Sequence, residues 1–186
     1  MTNKHPDILD ASGACLIVVD IQECFQNAIP GFEALVANAS RLVNTFQALS
    51  LPILVTEQYP KGLGPTVSAI REAIGEGEAY EKTCFSSCGS DDVSARLVEL
   101  SARRALLCGI ESHVCVSQTA HDLLQRGVTV HVAVDAVDSR RALDRDTALA
   151  RMERAGVILT TAEAAAFELL GDARHPKFKD VQALFK

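Results

Sequence analysis

Three residue types that together can cleave a carbonyl–heteroatom bond stand at three separated places in the chain. They are Asp20 in LIVVDIQECF, Lys82 in EKTCFSS and Cys115 in GIESHVCV. A thiol becomes a strong nucleophile once its proton is removed. A carboxylate beside it can take that proton and later activate water, while an ammonium group balances charge and orients both. Cys115 lies where an apolar run, ALLCGI, gives way to a helix-patterned segment, HVCVSQTAHDLLQRG. A cysteine in the first turn of a helix faces unsatisfied backbone N–H groups and the positive end of the helix dipole, and a nearby ammonium lowers its pKa further. Both effects predict a thiolate. The N–H groups of the Gly109–Cys115 turn are placed to receive a developing oxyanion.

Each residue also has a plainer reading. Cysteine is among the most buried residue types, so Cys115 on pattern alone is filler in a turn. An aspartate ending a strand is commonly a cap, and a lone lysine is commonly solvated. A cysteine–histidine pair is a further arrangement. His113 is two residues from Cys115 and would point to another helix face, leaving His121, His131 or another distant histidine as partner. His131 in VTVHVAV reads as a hydrogen-bonded core or half-buried histidine, and Asp135 and Ser139 in DAVDSR read as organisers of the turn after a strand.

These residues need a scaffold, and the hydrophobic pattern supplies one. Apolar runs of strand length recur at 15–20, 52–57, 104–110, 128–135 and 156–160, with a shorter β-like stretch, AYEKTCFSS, carrying Lys82. Between them, Phe32, Leu35, Val36, Ala39, Leu42, Val43, Phe46 and Leu49 recur at helical spacing. Val93, Leu97 and Leu100 repeat the pattern behind Ser90, an expected N-cap followed by Asp91 and Asp92. Val116, Ala120, Leu123 and Leu124 form the next stripe, stopped by Gly127. Ala148, Leu149, Met152 and Ala155 form another, and Thr160 with Glu163 has capping-box spacing ahead of AAAFELL. Strands apolar nearly throughout, alternating with helices, predict a parallel sheet covered on both faces. Ligands in such sheets bind outside the carboxyl ends of the strands. Asp20, the segment Glu57–Tyr59 and the segment Glu111–Cys115 all follow strands, so an acid, a lysine and a cysteine can converge on one edge.

Composition narrows the function classes. The 186 residues, 48% hydrophobic, fit a single domain spanning 1–186 with one sizeable core. A net charge of −6 with no basic block is the wrong footprint for a nucleic-acid binder. Apolar stretches such as CLIVV fall far short of the ~20 residues of a membrane span, and MTNKHPDILD lacks a signal-peptide core. A soluble, cytoplasmic protein acting on a small molecule is expected. The six cysteines need not form disulfides in a chain with this much core. Cys84 and Cys88, spaced C-x3-C without a second pair or a histidine at ligand spacing, make a poor zinc site. No metal and no cofactor are expected.

Together, LIVVDIQECF, EKTCFSS and ALLCGIESHVCVSQTAHDLLQRG resemble, in order and spacing, the isochorismatase-like cysteine hydrolases over roughly residues 12–170. GIESHVCV followed by TAHDLLQRG and VDAVDSR is most similar to the isochorismatase domain-containing subgroup. The resemblance implies an α/β fold, a three-layer α/β/α sandwich with a mostly parallel central sheet. It implies a catalytic triad of Asp20, Lys82 and Cys115. It also implies a non-proline cis peptide between Ile110 and Glu111, which turns the Glu111 and Cys115 N–H groups into an oxyanion hole. The implied reaction is hydrolysis of an amide or related carbonyl-type bond through a thioester, and the family commonly assembles as homo-oligomers, here a dimer or tetramer. One departure matters: nicotinamidases of the superfamily carry an Asp-x-His metal cluster after the second strand, where this chain has TEQYPKGLGP. Phe25, Gln58, Tyr59 and His113, on the same strand ends, are candidates for the substrate pocket. Two other roles compete with turnover: a catalytically silent scaffold of the same fold, and a thiol redox sensor in which Cys84 or Cys88 resolves an oxidised Cys115.

Overall fold

A computed structural model describes residues 5–75 and 77–186. Six strands, β1 (Ala14–Val19), β2 (Ile53–Gln58), β3 (Ala79–Lys82), β4 (Arg104–Ile110), β5 (Thr129–Asp138) and β6 (Ile158–Thr160), form one sheet. It is parallel throughout, in the order β3-β2-β1-β4-β5-β6. The apolar runs explain the centre of that order. Side chains alternate across a strand, so a strand covered on both faces must be apolar at every position. β1 meets that condition throughout, and β4 does from Ala105 onward. Leu16, Val18, Leu106, Cys108 and Ile110 pack on one face, and Cys15, Ile17, Val19, Ala105 and Leu107 on the other.

The first face is covered by α1 (Phe32–Ala48), α3 (Ser68–Ile74), α7 (Ala162–Leu170) and α8 (Phe178–Ala183). The second is covered by α4 (Asp91–Glu99), α5 (Ser117–Gln125) and α6 (Ala142–Ala155). Between β2 and α3 lies a single helical turn, α2 (Pro60–Leu63). The fold is the three-layer α/β/α sandwich. Among the described residues no helix is long and apolar enough to cross a membrane.

Successive strands are added in one direction from β1 to β3 and in the other from β4 to β6, so the loops leaving the neighbours β1 and β4 diverge and open a crevice at their carboxyl ends. The backbone is specialised there. Asp20, the residue after β1, is left-handed with φ 52°. Val19 pairs with Gly109 of β4. Gly109 has φ 122°, and a Cβ on it would lie 2.0 Å from the Val19 carbonyl oxygen, so only glycine lets the two strand ends approach this closely.

Several local expectations are corrected. β5 runs on to Asp138, so Asp135 lies within the strand, and its carboxylate accepts a hydrogen bond from the Ala162 N–H at the start of α7 (2.8 Å). The α7 cap is Thr161 rather than Thr160: its hydroxyl oxygen accepts from the Ala164 N–H (3.3 Å). Ser90 occupies the N-cap of α4, but its side chain makes no cap hydrogen bond there. Ala155, at the last turn of α6, is exposed. His131 is fully buried, yet neither ring nitrogen has a hydrogen-bond partner. Burial, reinforced by the Arg104 charge and opposed by Asp7, pushes its pKa down to about 4.

Candidate active site

The strand ends bring Asp20 and Lys82 into direct contact. Lys82, the last residue of β3, donates from Nζ to Asp20 Oδ2 at 2.7 Å, with both side chains sealed from solvent. A buried ion pair is tolerable only when the remaining hydrogen-bonding capacity of both groups is used. Here it is. The Thr56 hydroxyl of β2 donates to Asp20 Oδ1 at 2.7 Å. Lys82 Nζ also reaches Gln58 Oε1 (2.7 Å) and the carbonyl oxygens of Cys84 (3.3 Å) and Phe85 (3.2 Å). The charge pair is thus fixed by the loop after β3 as much as by the sheet.

Gln58 is held in turn. Its side-chain nitrogen donates to the Thr83 carbonyl (2.7 Å), so both ends of its amide are committed. The side chain of Gln22, fully buried, brackets the Gln58 backbone: its amide nitrogen donates to the Gln58 carbonyl (3.1 Å) and to the Gly64 carbonyl (2.6 Å), while its oxygen accepts from the Gln58 N–H (2.8 Å). Gln22 and Thr56 escaped the sequence reading, because a glutamine just past a strand and a threonine within one are ordinary residues until their partners are known.

Cys115 approaches from the other side of the crevice. It lies in a π-helical turn, Ser112–Val116, that connects β4 to α5. π-turns of this kind are rare and recur at functional sites. The peptide between Ile110 and Glu111, which enters this turn, is cis. Within the turn, the N–H groups of Val114 and Val116 both donate to the Glu111 carbonyl (3.1 and 3.2 Å). The Glu111 carboxylate is nearly buried and accepts from the Arg140 N–H (3.1 Å) and Nε (2.9 Å), tying the turn to the end of β5.

The thiol of Cys115 is 6% exposed and interacts with both Asp20 and Lys82. Its electrostatics reverse the expectation of a resident thiolate. Burial, followed by the Asp20 charge, pushes the pKa up to about 12 despite the opposing Lys82 ammonium. In a site this dry the desolvation of a thiolate outweighs one lysine and a helical turn. The resting group is a thiol beside a carboxylate.

Asp20 and Cys115 open onto a cavity of about 120 Å³. Of the pocket candidates, Phe25 and Gln58 line it, as do Ile110 and Glu111. Leu63, Phe85 and Val114 complete its apolar wall, and no periodicity in the sequence marks them. Tyr59 lies outside it, 54% exposed, lining a separate surface cleft with Lys61, Cys84 and Ser90. His113 also lies outside: its Nδ1 is 3.0 Å from the Ser139 hydroxyl oxygen, so Ser139 holds a histidine rather than only a turn. All six cysteines are free. Among the described residues, no cluster of three or more His, Cys, Asp or Glu side chains is arranged to hold a metal ion.

Comparison with known proteins agrees with this architecture. The Isochorismatase domain model matches residues 14–164. Isochorismatase domain-containing protein 2 of Bos taurus is 46% identical over 176 residues, covering 92% of this chain and 82% of that protein. Isochorismatase domain-containing protein 1 of Salmo salar is 44% identical over 168 residues, covering 90% of this chain and 59% of that protein. A Caenorhabditis elegans structure described as MAR1 ribonuclease superposes with a TM-score of 0.90 at 45% identity, covering 94% of this chain and 90% of that one. The YcaC protein of Pseudomonas aeruginosa, described with hexane-2,5-diol and covalent acrylamide, shares the fold with a TM-score of 0.88 at 23% identity, covering 99% and 93% of the two chains. The chain belongs to the isochorismatase domain family.

Proposed function

We propose that the protein is a hydrolase that cleaves a small amide, or a related carbonyl-type bond, through a thioester on Cys115. The observation that carries the reading is the sealed Asp20–Lys82 pair, 2.7 Å apart, interacting with a thiol that lines a small cavity. In the first step Cys115 Sγ attacks the substrate carbonyl carbon while Asp20 takes the thiol proton, so the thiolate arises only as the new bond forms. The developing oxyanion is received by the Glu111 and Cys115 N–H groups. This assignment is supported by the spending of the Val114 and Val116 N–H groups on the Glu111 carbonyl. Collapse breaks the carbon–nitrogen bond, and Asp20 returns its proton to the leaving amine. Water, deprotonated by Asp20, then attacks the thioester, and the acid product departs as Cys115 recovers its proton. Lys82, hydrogen-bonded to Asp20 Oδ2, holds that carboxyl group in position between its proton transfers.

The acrylamide held covalently in the Pseudomonas YcaC structure fits such a reading of the shared fold. A ribonuclease activity, the name attached to the C. elegans structure, fits the site less well: the cavity is small, Asp20 and Glu111 are among its lining residues, and among the described residues no lysine or arginine lines it to meet a phosphodiester. Incubation with a library of primary amides, followed by intact-protein mass spectrometry, tests the proposal. Acyl adducts that appear on the wild type and vanish in Cys115→Ala support it. Substrate turnover that survives in Cys115→Ala contradicts it.

A further inference from the structure

We infer that the cavity selects a small, uncharged acyl group and rejects acyl groups that carry a carboxylate. This inference rests on the proposed role of Cys115 and adds the chemical class of its substrate. Three observations carry it. First, the space is small: about 120 Å³ corresponds to a few water molecules at ~30 Å³ each in the liquid, which fits a short acyl chain. Second, much of the wall is apolar, contributed by Phe25, Leu63, Phe85, Ile110 and Val114.

Third, among the described residues no lysine or arginine lines the cavity to meet an anion. Lys82, whose Nζ interacts with the cavity thiol, already meets four acceptors, one of them Asp20. An ammonium has only three N–H bonds to give. Arg140 stands behind Glu111, outside the lining, with its Nε committed to that carboxylate. The Gln58 amide is used at both ends. A substrate carboxylate entering here would be stripped of water, unpaired, and set beside Asp20 and Glu111. A neutral acyl group suffers none of these costs, and a cation gains no dedicated hydrogen-bonding partner against an apolar wall.

Competitive alkylation of the intact protein reads this directly. Iodoacetamide and iodoacetate are matched in size and differ in charge, and Cys24, which is exposed, serves as an internal reference for their intrinsic reactivities. Site-resolved mass spectrometry is expected to show Cys115 favouring iodoacetamide over iodoacetate by about tenfold more than Cys24 does. Leu63→Arg, at a half-buried wall position, is expected to erase most of that preference by supplying the missing cation. A Cys115 selectivity equal to that of Cys24, a preference for iodoacetate, or no labelling of Cys115 by either reagent overturns the inference. Charge selectivity without acyl-enzyme formation from any amide would sink the hydrolase reading and leave the cavity inference standing. Acyl-enzyme formation without charge selectivity would do the reverse.

Discussion

Lys82 and Asp20 lie 62 residues apart in the sequence, yet their side chains meet at 2.7 Å in a space closed to solvent. A buried pair of this kind contributes little net stability, because desolvating two ions offsets most of their attraction. Losing one partner is a different matter, since the other is left charged and unpaired. Lys82→Met is therefore expected to destabilise the protein by about 3–5 kcal/mol, and the double variant Lys82→Met/Asp20→Asn by clearly less, in denaturant unfolding. Asparagine also tolerates the left-handed backbone at position 20. With folding preserved, Asp20→Asn is expected to lower kcat by about 10²–10⁴-fold through loss of the base.

The protonation state of Cys115 gives a second prediction. Its pKa lies at about 12 because the site is dry and Asp20 is close. The ultraviolet thiolate absorbance of the wild type minus that of Cys115→Ala should therefore show no step across neutral pH and should rise only in strong alkali. A step near neutrality would mean that Lys82 and the helical turn win over burial.

His131 ties stability to acid pH. Its folded pKa of about 4 lies below the ordinary 6.5, so the unfolded chain binds the proton more readily. The neutral ring's contribution is then fully present above pH 6.5 and is lost as pH falls towards 4. At ~1.4 kcal/mol per pKa unit, the loss is about 3 kcal/mol. Of the charged groups acting on the ring, Arg104 disfavours and Asp7 favours its protonation. His131→Leu should remove this part of the acid dependence, read as the difference between wild-type and variant unfolding free energies at pH 7 and pH 4.

Gly109→Ala tests the closeness of the two central strand ends. A methyl group there would press on the Val19 carbonyl at 2.0 Å, and the φ of 122° is itself unfavourable for alanine. A loss of more than about 3 kcal/mol, or failure to accumulate folded protein, is expected. Near-normal unfolding would show that β1 and β4 can separate at their ends.

The central strands and α1 were legible because burial on two faces, or on one helical stripe, writes itself into every residue of the segment. α3 and α8, of seven and six residues, are too short for a period to emerge. Asp20, Lys82 and Cys115 were legible as chemical types, and the parallel topology accounts for their approach. Gln22 and Thr56 were not, since their importance lies in partners 36 to 42 residues away that only the folded chain brings near. The sign of the Cys115 shift was misread for a related reason: sequence displays the lysine and the helical turn, whereas the decisive factor, exclusion of water, belongs to the packed site. Tyr59 and His113 sit at strand ends as anticipated, but their side chains turn to the surface cleft and to Ser139.

The most direct test of the account is acyl-enzyme trapping. Wild-type protein quenched in acid after brief exposure to short, neutral primary amides should carry an added acyl mass on the peptide containing Cys115. The same treatment of Cys115→Ala should give none. Amide hydrolysis with no adduct in the wild type, and equal rates in Cys115→Ala, would contradict it.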